Sequence, residues 1–248
     1  LGHVYLWPVK PTLEGYNAVF SHRNVLTGYR NTIFYTLAGT AINVVITVLC
    51  AYPLSRRDMP MRGFFMFLFV FTMFFSGGLI PTYLLVNSLG MVNTVWSLLI
   101  PGAMSVYNMI ITRTFFQNTV PKELLEAAQI DGCSDARYFF NILLPLSQAV
   151  ISVIALYYAV GHWNSYFNAL IYVRDARLQP LQLTLRSILL STRVSLNEFE
   201  DPDLLAGKVG LEFLVKYALI VVSSAPIMCL YPFVQKFFAK GVMLGSVK

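Results

Sequence analysis

Glu126, Ala127, Ala128, Gly132, Ile142, Leu144 and Pro145 stand together in one charged stretch, residues 121–146, PKELLEAAQIDGCSDARYFFNILLPL, between two long apolar runs. Pro121 suits the first turn of a helix, where its missing N–H costs nothing. Asn118 or Thr119 is placed to cap that start. Residues 122–131 then read as a short amphipathic helix with Leu124, Leu125, Ala128 and Ile130 at its apolar positions. Gly132 suits a left-handed terminating residue, and Ser134 can cap a second helix from Asp135. The segment is therefore a helix–glycine–helix elbow, too polar to span a bilayer and too apolar for a mere linker. Glu126 lies in mid-helix, where a carboxylate caps nothing and is free for a cation on a partner. That chemistry is recognition, not catalysis.

Other reactive residue types lack a productive pattern. Cys50, Cys133 and Cys229 are scattered and read as small apolar residues rather than a disulfide framework. His3, His22 and His162 have no metal-ligand spacing. The chain contains no G-x-x-x-x-G-K-[ST], no H-E-x-x-H and no G-x-S-x-G. No metal or cofactor is expected on this chain, and it is not expected to be an enzyme by itself. The acidic cluster Glu198, Glu200, Asp201 and Asp203 reads as a solvated loop.

The elements around the elbow are those of an integral membrane protein. Of 248 residues, 56% are hydrophobic and 12% charged, with a mean hydropathy of +0.62. A soluble domain carries about 25% charge. Apolar runs of spanning length lie near 33–54, 64–86, 94–112, 143–160 and 214–235. The expected fold is thus all-α: a polytopic bundle of five transmembrane helices with the elbow, 118–142, outside the bilayer. Ser76-Gly77-Gly78 and Pro81 fall inside the second run, where Gly and Pro need neighbouring helices or a water-lined cavity to answer the freed backbone groups. Residues 1–32 form a polar, aromatic lead-in whose Tyr5, Trp7 and Tyr16 suit a headgroup belt. Residues 161–211 form a loop with an amphipathic helix in LQPLQLTLRSILLS, and 212–248 the last span and a tail. All of this reads as one domain, 1–248.

Short-loop charges orient the chain. Arg56, Arg57 and Arg62, then Arg113, Lys122 and Arg137, then Lys236, Lys240 and Lys248 all fall on one side, which is therefore cytoplasmic. The turn at 87–93 on the other side has no Lys or Arg. The net charge of +6 and pI near 9.2 belong to this membrane-flanking pattern and do not require nucleic acid. Five spans with the tail inside leave Leu1 outside, so a sixth, upstream span is expected beyond this sequence.

The elbow also carries a resemblance. Glu126-Ala127-Ala128, three residues, Gly132, nine residues, Ile142, one residue and Leu144-Pro145 match the pattern EAA-x3-G-x9-I-x-LP at every fixed position. The chain thereby resembles the permease subunits of ABC importers. NTIFYTLAGTAINVVITVLCAYPLSRRDMP, TMFFSGGLIPTYLL, GHWNSYFNALIY and KFFAKGVMLGSVK extend the likeness over nearly the whole chain, to the oligosaccharide and polysaccharide subgroup. Within it the sequence looks most like the second permease subunit of an alginate importer, and it also resembles permeases for plant-polysaccharide fragments. The resemblance implies a MetI-like transmembrane domain in a bacterial cytoplasmic membrane. It implies as partners a different permease, two ATPase subunits carrying ATP and Mg, an extracytoplasmic sugar-binding protein, lipid and a saccharide substrate. The elbow would be the coupling helix: Glu126 would meet a basic ATPase residue, Ala127 and Ala128 would permit close approach, and Gly132 would set the bend. His162, Trp163, Asn164, Tyr166 and Asn168 would lie in a loop that reaches the binding protein or its sugar; interfacial anchoring is the competing reading. Asn43, Thr47, Thr72 and Asn108 are polar side chains within spans, suited to interhelical bonds or to lining the path.

A channel or secondary transporter working without an ATPase is the alternative. It would be expected to place ionisable groups inside spans, and the central parts of the five runs contain none. The topology is directly testable. Single cysteines replacing Ser134 and Gly245 should react with an impermeant reagent only from the cytoplasmic side, and one replacing Ser191 only from outside. Labelling of Ser134→Cys from outside would overturn the reading, because coupling to ATP requires the elbow inside.

Overall fold

The computed structural model describes residues 12–197 and 213–229, and every regular element among them is helical. The helices are α1 (Glu14–Phe20), α2 (Arg23–Ser55), α3 (Arg62–Phe74), α4 (Leu79–Ser88), α5 (Trp96–Leu99), α6 (Val106–Asn118), α7 (Lys122–Ile130), α8 (Asp135–Tyr138), α9 (Leu144–Leu146), α10 (Gln148–Trp163), α11 (Phe167–Tyr172), α12 (Leu181–Asn197) and α13 (Phe213–Cys229). A π-helical turn, Phe139–Leu143, joins α8 to α9.

α2 is the axis of the bundle, with α6, α10 and α12 packed against it. At its C-terminal end Val48, Ala51 and Leu54 join Met109 and Phe116 of α6 and Val150, Ile154 and Tyr158 of α10 in one buried cluster. At its N-terminal end Val25 joins Val19, Trp163, Leu181, Leu185 and Val215 in another. Three polar residues of α2 are buried against these partners, and a fourth, Thr36, has its hydroxyl enclosed. Thr32 Oγ1 accepts from Leu181 N at 2.8 Å, and Thr47 Oγ1 lies 2.6 Å from Tyr158 Oη. Asn43 Nδ2 donates to Gly102 O at 3.0 Å. Thr32, Thr36, Asn43 and Thr47 recur at helical spacing, so a single stripe of α2 carries the polar seam of the bundle.

The apolar runs are realised with breaks. α2 begins at Arg23, ahead of the run at 33–54, so part of the expected lead-in is already helix. The run at 64–86 is two helices bent by 112°. Gly78 takes a φ of 87° there, and its carbonyl accepts from Thr82 Oγ1 at 2.8 Å. Pro81 falls in the first turn of α4, where an absent N–H leaves no intrahelical bond unmade. The run at 94–112 is interrupted at Pro101-Gly102 between α5 and α6, and Asn43 answers the freed Gly102 carbonyl. The run at 143–160 reaches Trp163 and is entered through a 79° corner. Among the described residues, by length and composition, Asn24–Ser55 alone suffices to cross a membrane, or three units do if each bent pair is one span. α13 matches the start of the last expected span; the tail, Lys236 and the acidic cluster at 198–203 lie outside the described residues.

α1 meets α13 at a glycine. A Cβ on Gly15 would sit 2.6 Å from the backbone oxygen of Leu214, whereas one on Gly63 of α3 would meet nothing within 4 Å. Gly15→Ala and Gly63→Ala gain the same helix propensity, about 1 kcal/mol, so their difference isolates the clash. Gly63→Ala should hold or raise the Tm of the detergent-purified protein. Gly15→Ala should lower it, by an overpacking cost of roughly 1–3 kcal/mol. Equal Tm values for the two variants would show that α1 does not pack on α13.

Candidate functional site

The elbow is built from two arms and two corners. α7 is capped at its N-terminus by Pro121 with no side-chain bond. This corrects the expected capping: Asn118 is the last residue of α6, and Thr119 follows as its C-cap. Gly132 ends α7 with a φ of 72°. Its N–H donates to Gln129 O at 3.1 Å, and that of Cys133 donates to Ala128 O at 2.8 Å, the paired bonds of a Schellman turn. The second arm starts at Ser134, whose Oγ accepts from Arg137 N at 3.3 Å. It continues through the π-helical turn into α9, where Pro145 stands. Proline removes a helical bond and crowds the carbonyl four residues back. The wide turn immediately before it relieves that conflict, and the 79° corner into α10 follows at Ser147.

The signature residues divide by direction. Ala128 is buried and joins the cluster of Val48, Leu54, Met109 and Tyr138; Leu125, Ile142 and Leu144 pack against the same cluster. Glu126 and Ala127 are exposed. So are Leu124, at 39%, and Ile130, at 86% of full accessibility. Leu124, Ala127 and Ile130 thus form an outward apolar stripe on an otherwise polar helix, bordered by Glu123 and Glu126. A helix that keeps one side for its own bundle and offers alanine, leucine and isoleucine on the other is shaped to dock.

A latch ties the elbow to α2. Arg56 follows the last residue of α2, and its side chain is only 11% accessible. It donates to Asp58 Oδ1 and Oδ2 at 2.8 and 2.5 Å, to Asp135 Oδ1 at 2.5 Å and to Tyr52 Oη at 3.1 Å. The hydrogen bonds from Arg56 hold the Asp58 carboxyl below the usual carboxylate range, and the same bond raises the guanidinium pKa. From α6, Arg113 Nε donates to Leu54 O at 2.8 Å and Gln117 Nε2 to Ser55 O at 3.1 Å. The open carbonyls at the end of α2 are therefore answered by side chains of α6. Sequence reasoning read Arg56 and Arg113 only as topology signals and missed Asp135, because Arg56 and Asp135 are 79 residues apart. Between latch and α7 lies a hollow of about 510 Å³ lined by Glu126 and Gln129 together with Arg57, Arg62 and Gln117.

Of the residues expected on the path, His162 and Asn43 are brought together, and the others are dispersed. Trp163 is buried, and its indole donates to Ser223 O of α13 at 3.0 Å, so here it is a packing residue rather than a presented one. His162 lies beside Asn43 at 3.4 Å, inside the α2–α10 seam. Asn164 is exposed and bonds back to Val160 O at 2.9 Å, and Asn168 is exposed on α11. Tyr166 is half-buried, with the Arg186 guanidinium 5.0 Å from its ring centroid. Asn43 and Thr47 serve the seam already described, and Asn108 is buried near it, at 6% accessibility. Thr72 is exposed on α3 and bonds its own helix at Phe69 O.

Residues 39–243 match the family described as the binding-protein-dependent transport system inner membrane component. Protein LplC of Bacillus subtilis is 44% identical over 98% of this chain and 81% of its own length. The polygalacturonan/rhamnogalacturonan transport system permease protein YtcP of the same species is 43% identical over 98% and 84%. Among solved structures, a chain of a bacterial ABC transporter involved in the import of the acidic polysaccharide alginate superposes with a TM-score of 0.83 at 32% identity, covering 96% of this chain and 84% of that one. With its helical fold and its complete EAA elbow, the chain belongs to the family of binding-protein-dependent transport system inner membrane components, as a MetI-like permease.

Proposed function

We propose that this chain is a membrane-spanning permease subunit of an ABC importer that takes up oligosaccharides or polysaccharide by ATP-driven alternating access. The carrying observation is the elbow, whose buried side is locked to α2 and whose other side offers Leu124, Ala127 and Ile130 with Glu126 beside them. Partner ATPases bind and hydrolyse ATP with Mg; closing of their dimer pushes the elbow. The latch passes that push to α2 and the corner at Pro145 passes it to α10. The bundle, with the five crossings expected from the apolar runs, then rocks against a second, different permease around a midplane path. An extracytoplasmic binding protein delivers the saccharide. The chain sits in the bacterial inner membrane with its C-terminus in the cytoplasm. The relative named for polygalacturonan/rhamnogalacturonan transport and the similar chain from a transporter involved in alginate import support a saccharide as cargo.

Three variants test this reading in proteoliposomes holding the whole importer. Ile130→Asp should release the ATPase on co-purification, because a charge enters the docking stripe. Glu126→Ala should weaken docking: an ion pair buried on docking is worth roughly 3–5 kcal/mol when one partner is removed, against about 1 kcal/mol or less if it stays wet. Gly132→Val should keep the ATPase bound yet cut saccharide uptake, since the site has room for the side chain but positive φ costs a β-branched residue about 1–3 kcal/mol. Wild-type uptake from all three would show that the elbow is only a loop.

A further inference from the structure

The end of the bundle away from the elbow holds a second hollow, of about 500 Å³, between the start of α11, α12 and α13. Its floor is aliphatic: Leu185, Leu189 and Leu219. Its polar rim is Tyr166, Gln182, Arg186 and Lys216. Among the described residues no carboxylate lines it, and among them neither Arg186 nor Lys216 takes part in an ion pair. Two cations lining one largely apolar hollow invite an anion. Arg186 is also pre-positioned, because its guanidinium lies 5.0 Å from the Tyr166 ring centroid. A planar guanidinium can present a fork of N–H donors to a carboxylate.

Neither cation is needed for a neutral sugar, whose hydroxyls are met by amides and hydroxyls. A carboxylate-bearing sugar ring combines what the hollow offers: a negative charge for Arg186 and Lys216, a C–H face for the leucines, and a hydroxyl for Gln182. We propose that this hollow is a subsite for the uronate rings of an acidic saccharide, so that this subunit itself selects for charge. The proposal rests on the saccharide-permease reading above and narrows its substrate class.

The test uses the complete importer in phosphatidylcholine nanodiscs and measures equilibrium binding of labelled trigalacturonate and of its methyl ester, which keeps the rings and removes the charge. The free acid should bind about tenfold or more tightly than the ester, a charge-assisted contact's worth. Arg186→Gln and Lys216→Gln should each weaken the acid about tenfold and leave the ester unchanged, and Arg186→Lys should restore part of the loss. Equal binding of acid and ester by the wild type, or acid binding indifferent to both glutamine variants, would overturn the subsite. So would loss of the acid's advantage in phosphatidylglycerol nanodiscs, which would make the hollow a lipid-headgroup site. Uptake of a neutral oligosaccharide by the same importer separates the two claims: if it persists while the subsite fails, the permease reading stands. If no saccharide moves with ATP, that reading falls whatever the hollow binds.

Discussion

Arg56 is the constraint on which the arrangement turns. It sits where the longest helix ends, is almost enclosed, and makes charge-assisted bonds to Asp58 in its own loop and to Asp135 in the elbow. Both carboxylates are exposed, so neither pair alone adds much stability. What the latch supplies is geometry: a planar fork with donors fixed toward Asp58, Asp135 and Tyr52 leaves the second arm of the elbow one position relative to α2. Arg113 and Gln117 reinforce that end from α6, and Ala128, Leu125, Ile142 and Leu144 seal it with apolar contact. The end of α2, the end of α6 and the elbow therefore form one block.

The EAA signature gains a physical reading from this block. Ala128 is small because it is buried against the bundle, and Ala127 is small on the side that faces out. Gly132 is required by its positive φ, and Pro145 marks the corner at which the second arm becomes α10. Ile142 and Leu144 lean into the same cluster as Ala128, so both arms share one core. Glu126 and Ala127 both stay outside the shared core, and Glu126 has no ion pair among the described residues, which is why a partner is the reasonable destination for its charge.

Much of this was legible in the sequence, and the rest failed for identifiable reasons. The elbow's two arms, the left-handed Gly132 and the Ser134 cap follow from local rules and were read with their residues. The capping of α7 does not follow from local rules, because α6 runs on to Asn118 and consumes the residues that could cap its neighbour. The glycines and proline of residues 76–81 mark the break in the second run, but the breaks at Pro101-Gly102 and after Pro145 do not show in the apolar pattern, and what satisfies a break, such as Asn43 for Gly102, is a contact between distant residues. Trp163 looked like an outer-surface residue by position, but tertiary packing encloses it. The latch between Arg56 and Asp135 had no local signal. α3 illustrates the opposite case: it has no buried side chain, and its Phe67, Phe71 and Phe74 face outward, as befits a helix whose solvent is lipid or another permease.

The central claim is that the elbow and α2 move together when ATP is used. Spin labels at Asp131, on the elbow, and at Leu26, near the far end of α2, both exposed, would measure it in the reconstituted importer after replacement of Cys50, Cys133 and Cys229. The distance distribution between the two labels should stay the same in nucleotide-free and ATP-bound states. The distance from either label to one on the partner permease should change. A shift between Asp131 and Leu26 on ATP binding, with the partner distances fixed, would contradict the account, since the elbow would then be swivelling at Gly132 instead of carrying the bundle with it.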